Sequence, residues 1–75
     1  MSKADEMFEK LGYKKENSDF IFSRFQEEWT NIELDKTISF NTDYKYFSII
    51  DNGGFGINIQ ELQAINEKVK ELRLD

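Results

Sequence analysis

The stretch TNIELDKTISFN, residues 30–41, decides the fold class that we predict for this chain. Apolar and polar residues alternate in two runs within it, 30–34 and 37–41, and a period of two is typical of strands with one buried face. Asp35-Lys36 lies between the runs and predicts a tight hairpin turn, although the usual glycine is missing. The residues that we predict to face the core are Ile32, Leu34, Ile38 and Phe40.

Strand signals continue on both sides of this hairpin. Residues 19–25 are rich in aromatic and branched side chains and predict a strand, as do residues 44–50. Residues 51–54 read DNGG, which is the clearest turn signal in the chain, and residues 55–57 follow as a candidate short strand. The sheet therefore has three or four strands, or five if residues 55–57 also pair. In the strand over 19–25 the residues predicted to face the core are Phe20 and Phe22.

The N-terminal segment predicts a helix over residues 3–11. Ser2 has the side chain preferred at a helix N-cap, and Gly12 stands where a left-handed residue ends a helix. Apolar residues recur at helical spacing and form one stripe. That stripe consists of Ala4, Met7, Phe8 and Leu11.

The C-terminal segment predicts a second helix, over about residues 59–73. Asn58 and Glu61 have the spacing of a capping box at its start. Its predicted buried stripe consists of Leu62, Ile65, Val69 and Leu72. Short links force neighbouring strands to be antiparallel, and two helices with one apolar stripe each pack on the same sheet face. We predict an α+β two-layer sandwich, order α-β-β-β-β-α, with both terminal helices on one face of an antiparallel sheet, as a single domain over residues 1–75.

The composition limits the chemistry that this chain can perform. Its 75 residues include no histidine and no cysteine, which supply most general bases, nucleophiles and transition-metal ligands. We therefore expect no enzyme, no catalytic residue, no cofactor and no metal site. No apolar stretch approaches the ~20 residues of a membrane helix, and no segment resembles a signal peptide. These features predict a cytoplasmic protein with no membrane partner.

The net charge of −5 comes entirely from the central residues 16–51, where eight acids face three bases. Lys and Arg form no cluster, so direct binding to nucleic acid is disfavoured, because phosphate contacts need grouped positive charges. An acidic surface suits a protein partner with a basic groove instead.

Two local motifs invite a functional interpretation. Gly53-Gly54-Phe55-Gly56 could cradle a phosphate, but Ile59 occupies the place of the last glycine and no Lys-Ser/Thr follows, so a turn is favoured. Asp51-Asn52 and Glu27-Glu28 could bind a hard cation, but the oxygen-ligand spacing of a calcium loop is missing. We interpret both acidic pairs as solvated turns and loops.

Strict alternation also predicts an outer sheet face, made by Ile21, Phe25, Trp29, Asn31, Glu33, Ser39 and Asn41. Large apolar side chains among acids are typical of a protein interface. The candidate partner-binding residues, including two aromatics near turns, are Phe25, Glu28, Trp29, Glu33, Tyr44 and Phe55. An alternative stays open, in which a bulge or a shifted register tucks Phe25 and Trp29 into the edge of the core.

The two ends of the chain resemble a known family. ADEMFEKLGY, residues 4–13, and QELQAINEKVKEL, residues 60–72, are similar to the ends of small phage and prophage proteins from Gram-positive bacteria. The chain has Asn58 where that family commonly has a threonine cap, and Arg73 where a glycine often ends the helix. The resemblance implies an accessory role inside a bacterial cell and brings no catalytic residues with it.

The leading hypothesis is a non-enzymatic phage accessory protein that binds an unknown protein partner through its exposed sheet face. Its acidity suits inhibition of a host enzyme or defence system whose basic groove binds nucleic acid. One alternative is a homodimer that pairs through the same face. Another is a small-molecule-binding domain with a pocket between the helices and the sheet.

Overall fold

The computed structural model describes residues 2–16 and 25–74 and confirms the α+β class and the order α-β-β-β-β-α. The predicted strand over 19–25, with Phe20, Ile21 and Phe22, is not among the described residues, apart from its last residue. That residue, Phe25, is described and is not part of a strand. The elements are α1 Lys3–Lys10, β1 Lys14–Glu16, β2 Glu27–Asn31, β3 Lys36–Asn41, β4 Tyr46–Asp51 and α2 Ile59–Glu71.

The sheet has four antiparallel strands in the order β1-β2-β3-β4, so neighbours along the described chain are neighbours in space. The sequence did not predict β1, because its residues are all charged and carry no apolar alternation. The candidate strand over 55–57 is wrong: these residues form an irregular link between β4 and α2.

The predicted core-facing side of β2 is wrong, because the inward-facing positions are shifted by one residue. The strand ends at Asn31, and Ile32, predicted to be buried, lies in the following turn with 81% of its surface exposed. Leu34, also predicted to face the core, is half-buried in that turn. Trp29 faces the core instead and is 1% exposed, opposite Ile38. Since tryptophan buries more apolar area than isoleucine, this register places the larger side chain inside.

Asparagine side chains explain why both hairpins turn where they do. Asn31 Oδ1 accepts a hydrogen bond from the Leu34 N–H at 3.0 Å, and Asn41 Oδ1 accepts one from the Tyr44 N–H at 2.8 Å. In both hairpins the fourth residue after the asparagine is left-handed, with φ of 53° at Asp35 and 56° at Lys45. Each strand therefore ends at its asparagine, which closes a four-residue turn through its own side chain.

The register of β3 agrees with the prediction, since Ile38 and Phe40 are fully buried on the helix-facing side. Ser39 and Asn41 alternate with these residues along β3. They lie on the outer side of the sheet, as predicted, but they are buried there as well. The prediction that Asn31 lies on the outer side is wrong. Asn31 lies on the same inner side as Trp29 and is buried, because the β2 register is shifted.

Both helices pack on the inner face of the sheet. The Phe8 ring of α1 stacks on Trp29 at 5.0 Å between centroids and meets Phe40 edge-on at 6.2 Å. Tyr13 completes the aromatic group, with its ring 5.5 Å from that of Phe8. The α1 stripe is confirmed, with Ala4 and Phe8 buried and Met7 and Leu11 packed against the core.

Local signals set the helix ends as predicted. Ser2 Oγ accepts the Asp5 N–H at 3.1 Å, and Gly12, with φ of 92°, lets the Tyr13 N–H reach the Phe8 carbonyl at 3.0 Å. Asn58 and Glu61 form the full capping box at the start of α2.

The buried face of α2 differs from the predicted stripe. Leu62 is 44% exposed, whereas Ile65 is buried and Val69 and Leu72 are half-buried. Two charged residues, Glu61 and Lys68, occupy the buried face together with Ala64 and Ile65. The prediction assigned the face by hydrophobicity, and these two charges find their partners in other elements of the fold.

A left-handed arginine ends α2 and gives a testable stability prediction. Arg73 has φ of 57°, and the Leu74 N–H bonds the Val69 carbonyl at 2.9 Å. We expect Arg73→Gly to stabilise the protein by about 0.5–1 kcal/mol, because glycine adopts this conformation without strain. Urea unfolding measures the change. As a control, Gln63→Gly at an exposed position in the interior of α2 should destabilise by about 1 kcal/mol, and a loss of stability in Arg73→Gly would contradict the account.

Candidate functional site

The first charged group in the interior surrounds Lys68. Its ammonium is fully buried and lies 2.5 Å from Asp5 Oδ1, 2.6 Å from Glu27 Oε1 and 2.7 Å from Glu71 Oε2. The same Glu27 oxygen accepts the Trp29 indole N–H at 2.9 Å. Lys68 also lies 5.4 Å from the centre of the Trp29 ring, within cation–π range. This group, here called the Lys68 cluster, joins α1, β2 and α2.

The second charged group surrounds Glu61 at the start of α2. Lys36 Nζ lies 2.9 Å from each carboxylate oxygen of Glu61, and both side chains are 2% exposed. The Tyr13 hydroxyl donates to Glu61 Oε2, and the Asn58 N–H donates to Glu61 Oε1 at 2.9 Å. One carboxylate therefore serves both the helix cap and a buried ion pair between α2 and β3. We call this group the Glu61 cluster.

The pKa shifts in both clusters favour the ordinary charge states. Burial alone raises the pKa of Glu61, but hydrogen bonds from Asn58, Tyr13 and Lys36 outweigh it and lower the pKa. Burial likewise lowers the pKa of Lys68, but hydrogen bonds to its three carboxylates outweigh burial and raise it. Burial and the bond to Glu61 raise the pKa of the Tyr13 hydroxyl. A catalytic lysine or acid needs the opposite shifts, so these groups are arranged for stability.

Stability should therefore depend on pH in the acid range. The pKa values of Asp5, Glu61 and Glu71 are all lowered in the folded protein, because hydrogen bonds outweigh the effect of burial. These bonds come mainly from Lys68 to Asp5 and Glu71, and from Asn58, Tyr13 and Lys36 to Glu61. Their contribution is present above the unfolded pKa of about 4 and is lost as pH falls through the lower folded values. We expect the urea midpoint to drop between about pH 5 and pH 2.

Matched glutamine variants test which carboxylates carry this effect. Glu61→Gln should make the acid loss shallower, whereas Glu9→Gln on the exposed side of α1 should leave the slope unchanged. On the alkaline side, the raised pKa of Lys68 gives stability that is lost as pH rises through its folded pKa. A urea midpoint that does not change down to about pH 3 would contradict the role of the clusters.

The carboxylates of the Lys68 cluster have the spacing of a cation site. Oxygens of Asp5, Glu27 and Glu71 all lie within 4.8 Å of one another. Lys68 places its ammonium among them, at hydrogen-bond distance from each, so its positive charge stands where a metal ion would. The arrangement acts as an internal ion cluster, and it carries no metal proposal.

The glycine loop after β4 uses its amide donors internally. The Asp51 carboxylate accepts the Phe55 N–H at 3.2 Å and the Gly56 N–H at 2.6 Å. These are donors that a phosphate-binding loop would offer to its ligand. The Asp51 side chain thus takes the position of an anion and fixes the loop, in line with the predicted turn.

The six candidate partner-binding residues do not form one surface. Trp29 is wrong as a surface residue, because the β2 register turns it into the core. Glu28 is half-buried on the outer side of β2. Phe25, whose ring lies 5.8 Å from that of Tyr46, and Tyr44, 81% exposed, lie at the end with the β3–β4 turn. The two remaining candidates, Glu33 and Phe55, lie at the opposite end.

The opposite end carries exposed apolar and acidic side chains together. Ile32 and Phe55 are 81% and 67% exposed, and Glu33 and Asp35 are exposed in the same β2–β3 turn as Ile32. The Asn52 N–H bonds the Asp35 carbonyl at 3.1 Å, which ties this turn to the loop after β4. We call Ile32, Glu33, Asp35 and Phe55 the loop patch. Sequence reasoning missed Ile32, because it placed this residue in the core.

The Phe55 ring lies against Gly53 although most of it faces solvent. Its backbone N–H is bound by Asp51, and its Cε2 atom would lie 2.5 Å from a Cβ added at Gly53. A side chain at residue 53 would therefore displace the ring. The absence of a side chain at Gly53 is the sequence signal for this close approach.

Comparisons with family models, curated proteins and solved structures give no match to this chain. Neither α1 nor α2, the helices of the described residues, has the length and apolar content needed to cross a bilayer.

Proposed function

We propose that this chain is a non-enzymatic protein-binding module that contacts its partner through the loop patch. The observation that carries the proposal is Phe55, an exposed aromatic whose backbone N–H is bound by Asp51 and whose ring lies against Gly53. Aromatic side chains dominate the energetics of protein interfaces, and a backbone that is ordered before binding loses less entropy. Exposed apolar groups rimmed by charge are typical of such sites.

The chemistry of the patch indicates the partner. Ile32 and Phe55 offer apolar contact, and Glu33 and Asp35, in the same turn as Ile32, add negative charge. A matching surface has an apolar depression bordered by Lys or Arg. The resemblance of the chain ends to phage proteins supports an accessory role in a bacterial cell, and basic grooves that bind nucleic acid meet this description. Inhibition of a host enzyme or defence system is thus the form of binding that we propose.

The interior charges support a non-enzymatic function. In the described residues, the buried ionisable side chains within each cluster are bonded to one another. The pKa shifts of Glu61 and Lys68 favour their ordinary charge states. Their interactions hold the elements of the fold together.

A comparison of variants tests the proposal. Bacterial proteins retained by the wild type would be identified, purified and titrated by calorimetry against each variant. We expect Phe55→Ala to weaken binding by about 2 kcal/mol or more, as for an interface hot spot. Tyr44→Ala removes an aromatic at the other end that is even more exposed than Phe55, and this variant should bind as the wild type does.

Charge reversal separates the loop patch from the outer sheet face. Glu33→Lys should weaken binding most at low salt, whereas Glu28→Lys, on the outer side of β2, should change it little. Binding that survives Phe55→Ala and Glu33→Lys would refute the loop patch. Loss of binding in Glu28→Lys alone would favour the sheet face instead.

A further inference from the structure

The two edges of the sheet differ in their protection. β1 consists of Lys14, Lys15 and Glu16, all exposed, and short charged strands discourage pairing with another chain. β4 has no charged residue between Lys45 and Asp51. Among the described strands none lies beyond β4. The backbone N–H and C=O groups on the outer edge of β4 are therefore not protected by charged side chains within the strand.

The apolar layer under the sheet is also open along β4. Phe47 is 43% exposed and, with Val69 and Leu74, lines a hollow of about 300 Å³ between β4 and the end of α2. Leu62 lies two turns before Val69 on the same flank of α2 and is 44% exposed. On the β4 side, both the sheet and the helix layer thus end in exposed apolar side chains.

We infer that β4 pairs antiparallel with β4 of a second copy of this chain, around a two-fold axis at Ser48. The sequence Lys45–Asp51, KYFSIID, is complementary to itself in this register. On the outer face Tyr46 lies opposite Ile50 of the second copy, and on the inner face Phe47 lies opposite Ile49. Pairs of aromatic and β-branched residues are favourable across antiparallel strands.

Charge selects this register over its neighbours. With Ser48 on the axis, Asp51 at the end of each β4 comes near Lys45 of the second copy, which lies in the β3–β4 turn next to the first residue of β4. A shift by two residues would place Lys45 opposite Ile49, or Asp51 opposite Phe47, and lose the charge pairing. The second copy is therefore a better match for this edge than an arbitrary strand, since it supplies both the apolar pairs and the opposite charges.

Symmetry closes the assembly at two chains. In the described part of each chain, one sheet edge lacks charged residues, and the pairing joins these two edges. The charged β1 strands then lie at the two rims of a continuous eight-stranded sheet. The α2 flanks that carry Leu62 and Val69 meet across the axis and cover the open apolar layer. The pairing goes beyond the proposed function and uses none of the loop patch residues, although Asp51 at the end of β4 also bonds the Phe55 N–H.

Charge substitution at the axis tests the inference. In sedimentation velocity and light scattering, the wild type should rise from 8.9 kDa towards twice that mass with concentration. Ser48→Lys and Ser48→Glu each place like charges face to face and should raise the dimer dissociation constant roughly 100-fold. An equimolar mixture of the two variants should dimerise again. Restoration is expected only if residue 48 faces itself.

Single cysteines provide a second measurement, because the chain has none of its own. Ser48→Cys should form a disulfide-linked dimer under mild oxidation, and Thr30→Cys, on the outer side of β2, should stay monomeric. The inference fails if the wild type is a single monomeric species up to about 1 mM. It also fails if the dimer survives Ser48→Lys, or if Thr30→Lys rather than Ser48→Lys abolishes it, since the interface would then lie elsewhere.

Discussion

Lys68→Met should remove about 3–5 kcal/mol from the free energy of unfolding. Lys68 is fully buried, and its ammonium is the positive charge among Asp5, Glu27 and Glu71. Methionine keeps the length of the apolar stem but leaves these carboxylates facing one another without compensation. A small domain has a stability near the lower end of about 5–15 kcal/mol, so the variant should be close to unfolding. Urea denaturation followed by the fluorescence of Trp29 measures the loss.

Lys70→Met is the matched control. It makes the same substitution two positions along α2, where the lysine side chain is 68% exposed and 3.6 Å from Glu67. Its effect should stay within about 0.5 kcal/mol, as for other surface substitutions. Adding Glu27→Gln should destabilise Lys68→Met much less than it destabilises the wild type, because one repelling charge is removed. Equal effects of the two lysine substitutions would refute the structural role of the Lys68 cluster.

Trp29→Ala is the second substitution with a large expected effect, a loss of about 3–5 kcal/mol. Trp29 stacks on Phe8, donates its indole N–H to Glu27 and lies over Lys68, so its removal opens a cavity and frees a buried carboxylate. Circular dichroism during urea or thermal unfolding measures this change without the tryptophan signal.

Ile32→Ala distinguishes the two registers of β2. Ile32 is 81% exposed, so its truncation should change stability by no more than about 0.5 kcal/mol. The register that the sequence pattern predicted, with Ile32 inside and Trp29 outside, gives the reverse order of effects. A larger loss in Ile32→Ala than in Trp29→Ala would therefore contradict the structure of β2.

The helix boundaries show how far local signals reach. The capping residues Ser2 and Asn58 bond to amides within their own first turns, and Gly12 ends α1 through its own conformation. Such contacts span a few residues, so the sequence pattern contains all the information needed to place them. The same holds for β3, where Ile38 and Phe40 alternate without interruption and are buried as predicted.

The candidate site was predicted only in part. Glu33 and Phe55 lie in the loop patch, whereas Ile32 joins it because the β2–β3 turn begins at residue 32, three residues earlier than the alternation suggests. Asn31 carries the missing signal, since its side chain closes that turn. An asparagine that ends a strand is visible in the sequence, but the alternation of Ile32 and Leu34 masked its meaning.

The sequence alone determined the fold class, the helix ends and three of the four described strands, because these depend on hydrogen bonds and periodicity between close neighbours in the chain. Only the tertiary structure decided which face of β2 is buried and that Glu61 and Lys68 lie inside. Burying a charge is favourable only when partners from distant segments surround it, and Lys68 meets Asp5 from 63 residues away. The hydrophobicity of the residues along one helix contains no information about such a distant partner. The buried face of α2 therefore differs from its predicted stripe.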